Sequence, residues 1–190
     1  SQIASETTKT VELDGTDVTF TLAETSTSGT WDLSTQAITD QAGQVVHIDK
    51  TTIEDVTITN NGTMWSTENN AIEFDGTTIS NTATITNNKD ATIRSDSTAL
   101  DEAAIAIKDT TGSLNINNVG AMTGPHGLLV DNATVTFTNR GTVTGSLYDV
   151  NNAGTLTINN NQGALTSDPL TLTGKLPTYN MLIVNTENYG

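Results

Sequence analysis

The chain has 190 residues with 22 acidic and 7 basic side chains, so its formal net charge is -15. This excess of negative charge repels nucleic-acid phosphates and anionic membrane surfaces, so no nucleic-acid partner is expected. Cysteine is absent, which excludes disulfides and thiolate metal sites. No apolar run approaches the ~20 residues that span a bilayer, so we expect no direct membrane insertion of this segment.

The N-terminal part of the chain carries short alternating segments. Residues 11–13, 18–22 and 31–33 alternate apolar and polar side chains, which is the period of a strand with one buried face. We predict that residues 1–44 form an N-terminal cap and the first irregular coils of the structure that follows. A cap is needed because an open sheet end exposes unpaired backbone and invites aggregation.

One phrase then recurs along the chain at intervals of 21 to 31 residues. Its copies are VTITNNGTM, ATITNNKDATI, LNINNVGAM, VTFTNRGTV and LTINNNQGAL, which begin at residues 56, 83, 114, 135 and 156. A period in this range indicates a solenoid. Apolar and polar residues alternate within the phrase, so Val56 and Ile58 are expected to point inward. Thr57 and Thr59 are expected to point outward.

Each phrase lies between two further apolar segments, so every repeat supplies three short strands. The preceding segments are residues 46–48, 72–74, 105–107, 128–130 and 148–150, and the following ones are anchored by Met64, Ile93, Met122, Val143 and Leu165. We predict an all-β fold: a right-handed three-sided parallel β-helix (solenoid) of about five central coils with irregular caps, with the coils in residues 45–166. A β-hairpin array and a Greek-key sandwich are the alternatives.

The interior and the turns of the coil follow from the aligned phrase. The residues expected to stack inside are Ile58, Ile85, Ile116, Phe137 and Ile158. The asparagines after them suit a turn because Asn tolerates the left-handed conformation. Since stacked strands lie ~4.8 Å apart, equivalent Asn amides can form a hydrogen-bonded ladder along the stack.

A further coil is predicted for residues 167–190. Residues 170–172 and 181–184 are strand-like, and Pro169 and Pro177 suit its bends. The chain begins at Ser1 without a signal-peptide pattern and stops directly after a strand-like run, so we expect it to be a segment of a longer protein.

Acidic residues follow the first strand of several repeats. These residues are Asp49, Asp75, Asp109 and Asp131. If the strands align in that register, the carboxylates stack and repel one another unless a cation bridges them, and oxygen-rich sites suit Ca²⁺. The alternative is that each Asp bonds its own turn, with Lys50 and Lys108 partly neutralising the column.

Two loops interrupt the constant phrase and are the predicted partner-binding segments. The longer is residues 95–104 and the shorter is residues 65–70; their candidate contact residues are Trp65, Glu68, Asp96, Asp101 and Glu102. Loops on a solenoid commonly carry binding. Trp65 could stack on a sugar ring or pack over a coil corner.

The repeat resembles the passenger domains of Gram-negative autotransporters, which carry degenerate I-T-N-x-G-T-I phrases. The matches are ITNNGTM from Ile58, ITNNKDATI from Ile85, FTNRGTV from Phe137 and INNNQGAL from Ile158. The resemblance, including the segments between these matches, extends over roughly two thirds of the chain. The resemblance implies a β-helix on the bacterial cell surface or outside the cell, and it implies no particular activity. The membrane barrel of that family is not in this sequence.

No catalytic constellation emerges from the sequence, so no catalytic residue is assigned. The only histidines are His47 and His126, separated by several predicted coils, and no G-x-S-x-G elbow occurs. We expect a non-enzymatic extracellular stalk or adhesin that contacts host, neighbouring-cell or matrix surfaces. The alternative is a self-assembling surface-layer or filament subunit, whose assembly calcium would bridge. A polysaccharide lyase or hydrolase is a third hypothesis.

Overall fold

The computed structural model of the protein describes residues 8–13, 16–22, 29–33, 37–41, 43–49, 52–150, 154–162, 169–175, 177–185 and 188–189. For the described residues among 8–41, and for Asp49, Ile53, Val184, Asn185, Asn188 and Tyr189, it describes the backbone alone. Strand is the regular structure of these residues. Among them no helix is long and apolar enough to cross a membrane.

The strands are numbered in chain order. They are β1 (Thr8–Leu13), β2 (Thr16–Leu22), β3 (Gly29–Leu33), β4 (Ala37–Gln41), β5 (Val46–Asp49), β6 (Thr52–Asn60), β7 (Thr63–Ser66), β8 (Ile72–Asp75), β9 (Thr78–Asn87), β10 (Thr92–Ser95), β11 (Ala103–Lys108), β12 (Ser113–Asn118), β13 (Ala121–Asp131), β14 (Thr134–Asn139), β15 (Thr142–Asp149), β16 (Thr155–Asn160), β17 (Leu172–Gly174), β18 (Thr178–Met181), β19 (Ile183–Asn185) and β20 (Asn188–Tyr189).

Parallel pairing arranges these strands into three stacks that follow one another around each coil. The first stack runs β5, β8, β11, the C-terminal half of β13, that of β15, and β17. The second runs β3, β6, β9, β12, β14, β16 and β18. The third runs β4, β7, β10 and the N-terminal halves of β13 and β15. The fold is therefore the expected parallel β-helix.

The start of the second stack is antiparallel. Strands β1 and β2 form a hairpin that continues antiparallel to β3, and β3 then pairs in parallel with β6. The coil stack therefore already includes β3 and β4, within the segment predicted as cap and irregular coils. Beyond β16, strand β18 continues the second stack, and β19 pairs with β20.

The column of apolar side chains predicted inside the coils is confirmed. Ile58, Ile85, Ile116, Phe137 and Ile158 are consecutive Cα partners and are fully buried. A parallel column, Met64, Ile93, Met122 and Val143, lines the third stack; Leu165, its predicted next member, lies outside the described residues. The period-two pattern succeeded because each strand buries only one face.

The asparagine ladder is also confirmed, and it lies inside the coil. Each member is the last residue of its strand in the second stack and has no exposed surface; the members are Asn60, Asn87, Asn118, Asn139 and Asn160. Each Nδ2 donates to the Oδ1 of the next Asn over 2.8 to 2.9 Å. The same amides also donate to backbone carbonyls of the turn, so these buried polar groups are satisfied.

Candidate functional site

The two predicted binding loops leave neighbouring strands at the same corner of the coil. Strand β7 pairs in parallel with β10, with Trp65 opposite Arg94 and Ser66 opposite Ser95. The Asp96 N–H donates to the Ser66 carbonyl over 2.9 Å, which continues the pairing one residue into the longer loop. Loops far apart in sequence are therefore adjacent because one coil of the helix separates them.

A polar and aromatic contact ties the two loops together. The Trp65 indole Nε1 donates to Asp96 Oδ2 over 2.8 Å, and Arg94 Nε lies 2.7 Å from Asp96 Oδ1. The Arg94 guanidinium also lies 4.5 Å from the centre of the Trp65 ring, a cation–π distance. Trp65 therefore packs at the coil corner with one ring face occupied by Arg94, as in the packing alternative for this residue.

A cleft of about 410 Å³ opens between the two loops. Its lining consists of hydroxyl, carboxylate and methyl groups from Thr67, Glu68, Asp96, Ser97, Thr98, Ala99 and Glu102. Three of the five predicted contact residues, Glu68, Asp96 and Glu102, therefore line it. Trp65 donates to the lining residue Asp96, and Asp101 is exposed. Because a cleft of hydroxyls and carboxylates offers many acceptors, it suits a ligand rich in O–H or N–H groups.

Glu102 is the least satisfied group of the cleft. Its Oε2 is buried and has no hydrogen-bond partner. Burial raises the pKa of Glu102, hydrogen bonds from the Ser97 side chain and the Asn70 backbone partly oppose this, and the Asp101 charge adds to the rise. A donor from a ligand would satisfy the unpartnered oxygen.

His126 fastens the longer loop to the coil, and sequence reasoning did not assign it this role. Its Nε2 lies 2.7 Å from the Leu100 carbonyl oxygen, and its backbone N–H donates to the Glu102 carbonyl over 3.1 Å. A carbonyl oxygen only accepts, so Nε2 carries a proton, and Nδ1 lies 2.6 Å from the Ser146 hydroxyl oxygen. The Tyr148 ring packs edge-on against the imidazole at 4.8 Å.

Comparison with known proteins does not extend this description. No protein-family model matches the chain, and neither the curated proteins nor the solved structures contain a significant match.

A second polar cluster lies on the outward face of the first stack, around the buried carboxylate of Glu73. Lys108 Nζ lies 3.2 Å from Glu73 Oε1, which also accepts from Asn70 Nδ2 at 3.0 Å. Gln44 Nε2 donates to Glu73 Oε2 over 2.6 Å, and His47 Nε2 lies 3.2 Å from the same oxygen. The cluster joins three successive coils, and its ion pair with Lys108 permits a carboxylate to be buried there.

The predicted column of acids differs in register from the structure. Asp49 is the Cα partner of Asp75, but Lys108 rather than Asp109 is the partner of both Asp75 and Asp131. Asp109 lies one residue further along with a positive φ of 44°, and its Oδ1 accepts from Asn132 Nδ2 at 3.0 Å. A cation side chain therefore separates two of the acids, which relieves the repulsion for which Ca²⁺ was invoked.

The described residues contain no group of three or more His, Asp or Glu side chains placed to hold a metal ion. The Asp49 side chain lies outside the described residues, so the calcium assignment of the four acids stays a prediction.

The two histidines lie in different environments. His47, on β5, contacts Glu73, whereas His126, on β13, contacts Ser146 and the backbone of the longer loop. Neither of these contacts involves the acids of the predicted column, so they do not build a polysaccharide-cleaving pair of the kind considered from the sequence.

Proposed function

We propose that the protein is a non-enzymatic, extracellular β-helical stalk or adhesin of the bacterial cell surface, of the autotransporter-passenger type. The coil supplies a rigid shaft, and the cleft between residues 65–70 and 95–104 binds the partner. The partner is a component of a host, a neighbouring cell or the extracellular matrix. The observation that carries the proposal is the convergence of the two interrupting loops on one cleft.

The chemistry of the cleft supports a hydroxyl-rich ligand such as a glycan. The Glu102 carboxylate has an unpartnered oxygen, and the Ser97 and Thr98 side chains line the same space. A buried oxygen without a hydrogen-bond partner is destabilised by the loss of water, so a ligand O–H that donates to it contributes to the binding free energy. Asp96, in contrast, is already held by Trp65 and Arg94, so it shapes the cleft.

A glycan and matrix-protein binding screen tests the proposal, with two variants chosen for the same loss of charge. Glu102→Gln changes the cleft, whereas Asp90→Asn changes an exposed turn elsewhere on the coil. We expect at least one ligand to bind the wild type and Asp90→Asn equally and to bind Glu102→Gln at least tenfold more weakly, about 1.4 kcal/mol. Turnover of a polysaccharide by the purified protein, or equal loss in both variants, contradicts the proposal.

Self-association into a surface layer or filament is the second candidate function. It is favoured by apolar side chains that are exposed around β17, β18 and β19, namely Leu172, Tyr179, Met181 and Ile183. Sedimentation or light scattering with and without a chelator tests it. Assembly that needs calcium would support the bridged lattice, and a chelator-insensitive monomer at high concentration would refute self-association.

A further inference from the structure

The outward face of the second stack is a grid of short polar side chains. Its central rank consists of Thr57, Thr84, Asn115, Thr136 and Thr157, which are consecutive Cα partners on β6, β9, β12, β14 and β16. Parallel ranks lie two residues before and two residues after this one. Threonine occupies 10 of these 15 positions, asparagine or serine 4, and Asp55 at one corner is the single charge.

Strand propensity accounts for part of this composition, because threonine is β-branched and common in strands. The corresponding rank of the first stack is His47, Glu73, Ala106, Leu129, Tyr148 and Thr173. That rank is partly covered, since Glu73, Ala106 and Leu129 are buried. The second stack keeps a solvent-accessible, nearly neutral surface of hydroxyl and amide groups in a protein of net charge -15.

The grid has a regular register and is backed by the buried Asn ladder. The buried Asn ladder ends the same strands of the second stack, and side-chain ladders are a means by which sheets stay untwisted over many strands. Pairing from β9 through β12, β14 and β16 to β18 proceeds without a register shift. The pairing of β13 with β15 contains two shifts, both at the corner between the third and first stacks.

We propose that this grid is an ice-binding surface. Its repeat is about 4.8 Å across the strands and about 6.6 Å between alternate residues along a strand. The first spacing is close to the shorter repeat of oxygen atoms on the surface planes of ice, the second is somewhat shorter than the longer repeat, and liquid water has no such fixed lattice. A rigid surface that already has the periodicity of its ligand loses little entropy on binding.

Threonine suits this ligand through both of its side-chain groups. The hydroxyl donates to and accepts from lattice water, and bridged waters are nearly as good enthalpically as direct hydrogen bonds. The methyl group beside it orders first-shell water by restricting its orientation. A crystalline polysaccharide would instead call for exposed aromatic rings to stack against, and the three ranks contain none.

The experiment measures thermal hysteresis and the incorporation of fluorescently labelled protein into a growing ice hemisphere. Thr136→Tyr places a bulky ring at the centre of the grid, and Thr144→Tyr makes the same change at an exposed position of the third stack. Circular dichroism and thermal unfolding establish that both variants retain the fold. This inference does not rest on the cleft, so Glu102→Gln serves as a further control.

We expect the wild type, Thr144→Tyr and Glu102→Gln to enter ice and separate its freezing and melting points equally. Thr136→Tyr is expected to lose at least half of both effects. The proposal is overturned if the wild type enters ice no more than an unrelated protein of equal charge, or if Thr144→Tyr loses as much as Thr136→Tyr. Binding of the wild type to microcrystalline cellulose without incorporation into ice also overturns it.

Discussion

Replacing Asn118 by Ala should test how far the buried ladder stabilises the coil. The substitution removes three hydrogen bonds: Asn118 Nδ2 to Asn139 Oδ1 at 2.9 Å, Asn118 Nδ2 to the Thr142 carbonyl at 3.1 Å, and Asn87 Nδ2 to Asn118 Oδ1 at 2.9 Å. At about 1 kcal/mol each, their loss amounts to about 3 kcal/mol.

The neighbouring contacts decide whether a desolvation cost must be added. Asn87 Nδ2 keeps its bond to the Ala121 carbonyl, and Asn139 Oδ1 still accepts from the Gly141 N–H. Only the Thr142 carbonyl loses a side-chain donor without a replacement in the same ladder, so the total should stay near about 3 kcal/mol rather than double.

Urea unfolding followed by far-ultraviolet circular dichroism measures this difference, with Asn117→Ala as the matched control. Asn117 is the adjacent residue of β12, but it points outward and is partly exposed, so its removal should cost no more than about 0.5 kcal/mol. A loss below about 1 kcal/mol for Asn118→Ala, or an equal loss in the two variants, would refute the assignment of stability to the ladder.

Three further substitutions follow from the described contacts. Phe137→Ala leaves a cavity in the column of apolar side chains and should cost about 3 to 5 kcal/mol in urea unfolding, because Phe137 is fully buried. Lys108→Met leaves the buried Glu73 carboxylate without its cation and should cost up to about 3 kcal/mol at pH 7, with less loss in the double variant with Glu73→Gln, measured by the same unfolding. Glu102→Gln should raise the thermal unfolding temperature at pH 7, because burial of the charged form is what raises the pKa of Glu102. This gain should disappear as the pH falls through the raised pKa and below the ordinary value of 4.5, because the folded and unfolded states of the wild type then both bind the proton.

The coil interior could be predicted because the same physical requirement recurs in each repeat. Every strand of the second stack must present one apolar face, so a period of two with a constant spacing to Asn placed Ile58 above Ile85 and Asn60 above Asn87 without knowledge of the loops. The outward direction of Thr57 and Thr59 followed from the same alternation.

The acid column could not be placed as reliably because register is set by the whole strand. An alignment based on the acids places Asp109 in the column with Asp75. The structure instead pairs Ile105 with Ile72 and Ile107 with Phe74, which puts Lys108 opposite Asp75. Burial of two apolar side chains outweighs a preference at one exposed end residue, since a one-residue slip would turn Ile105 and Ile107 outward. The apolar positions therefore decide register, and charges adapt to it.

His126 illustrates a different limit of sequence reasoning. Its neighbours Pro125 and Gly127 favour a turn, but β13 runs through the coil corner as one strand with register shifts on either side of His126. Its contacts with Leu100 and Ser146 join residues that are 26 and 20 positions away in the sequence. No local sequence pattern predicts such a contact, because it depends on which loop lies against that corner in the folded protein.

The placement of the long loop explains how the shaft can carry two kinds of surface. The ladder asparagines on either side of it, Asn87 and Asn118, are 31 residues apart, against 21 for the next pair, yet β9 and β12 pair without a shift. The extra residues are accommodated at the corner that holds the cleft, and the entropic cost of a longer loop grows only slowly. Inserting four glycines after the exposed Leu100 lengthens the loop at a small entropic cost and separates the Glu102 N–H from the Ala99 carbonyl. It should therefore cost no more than about 2 kcal/mol in urea unfolding and leave ice incorporation unchanged. The same insertion after Asn61 breaks the hydrogen bond of 3.1 Å that the Gly62 N–H donates to Asn60 Oδ1. This insertion should therefore disrupt the ladder and abolish ice incorporation. Equal effects of the two insertions would show that the corner of the cleft is as constrained as the corner of the ladder.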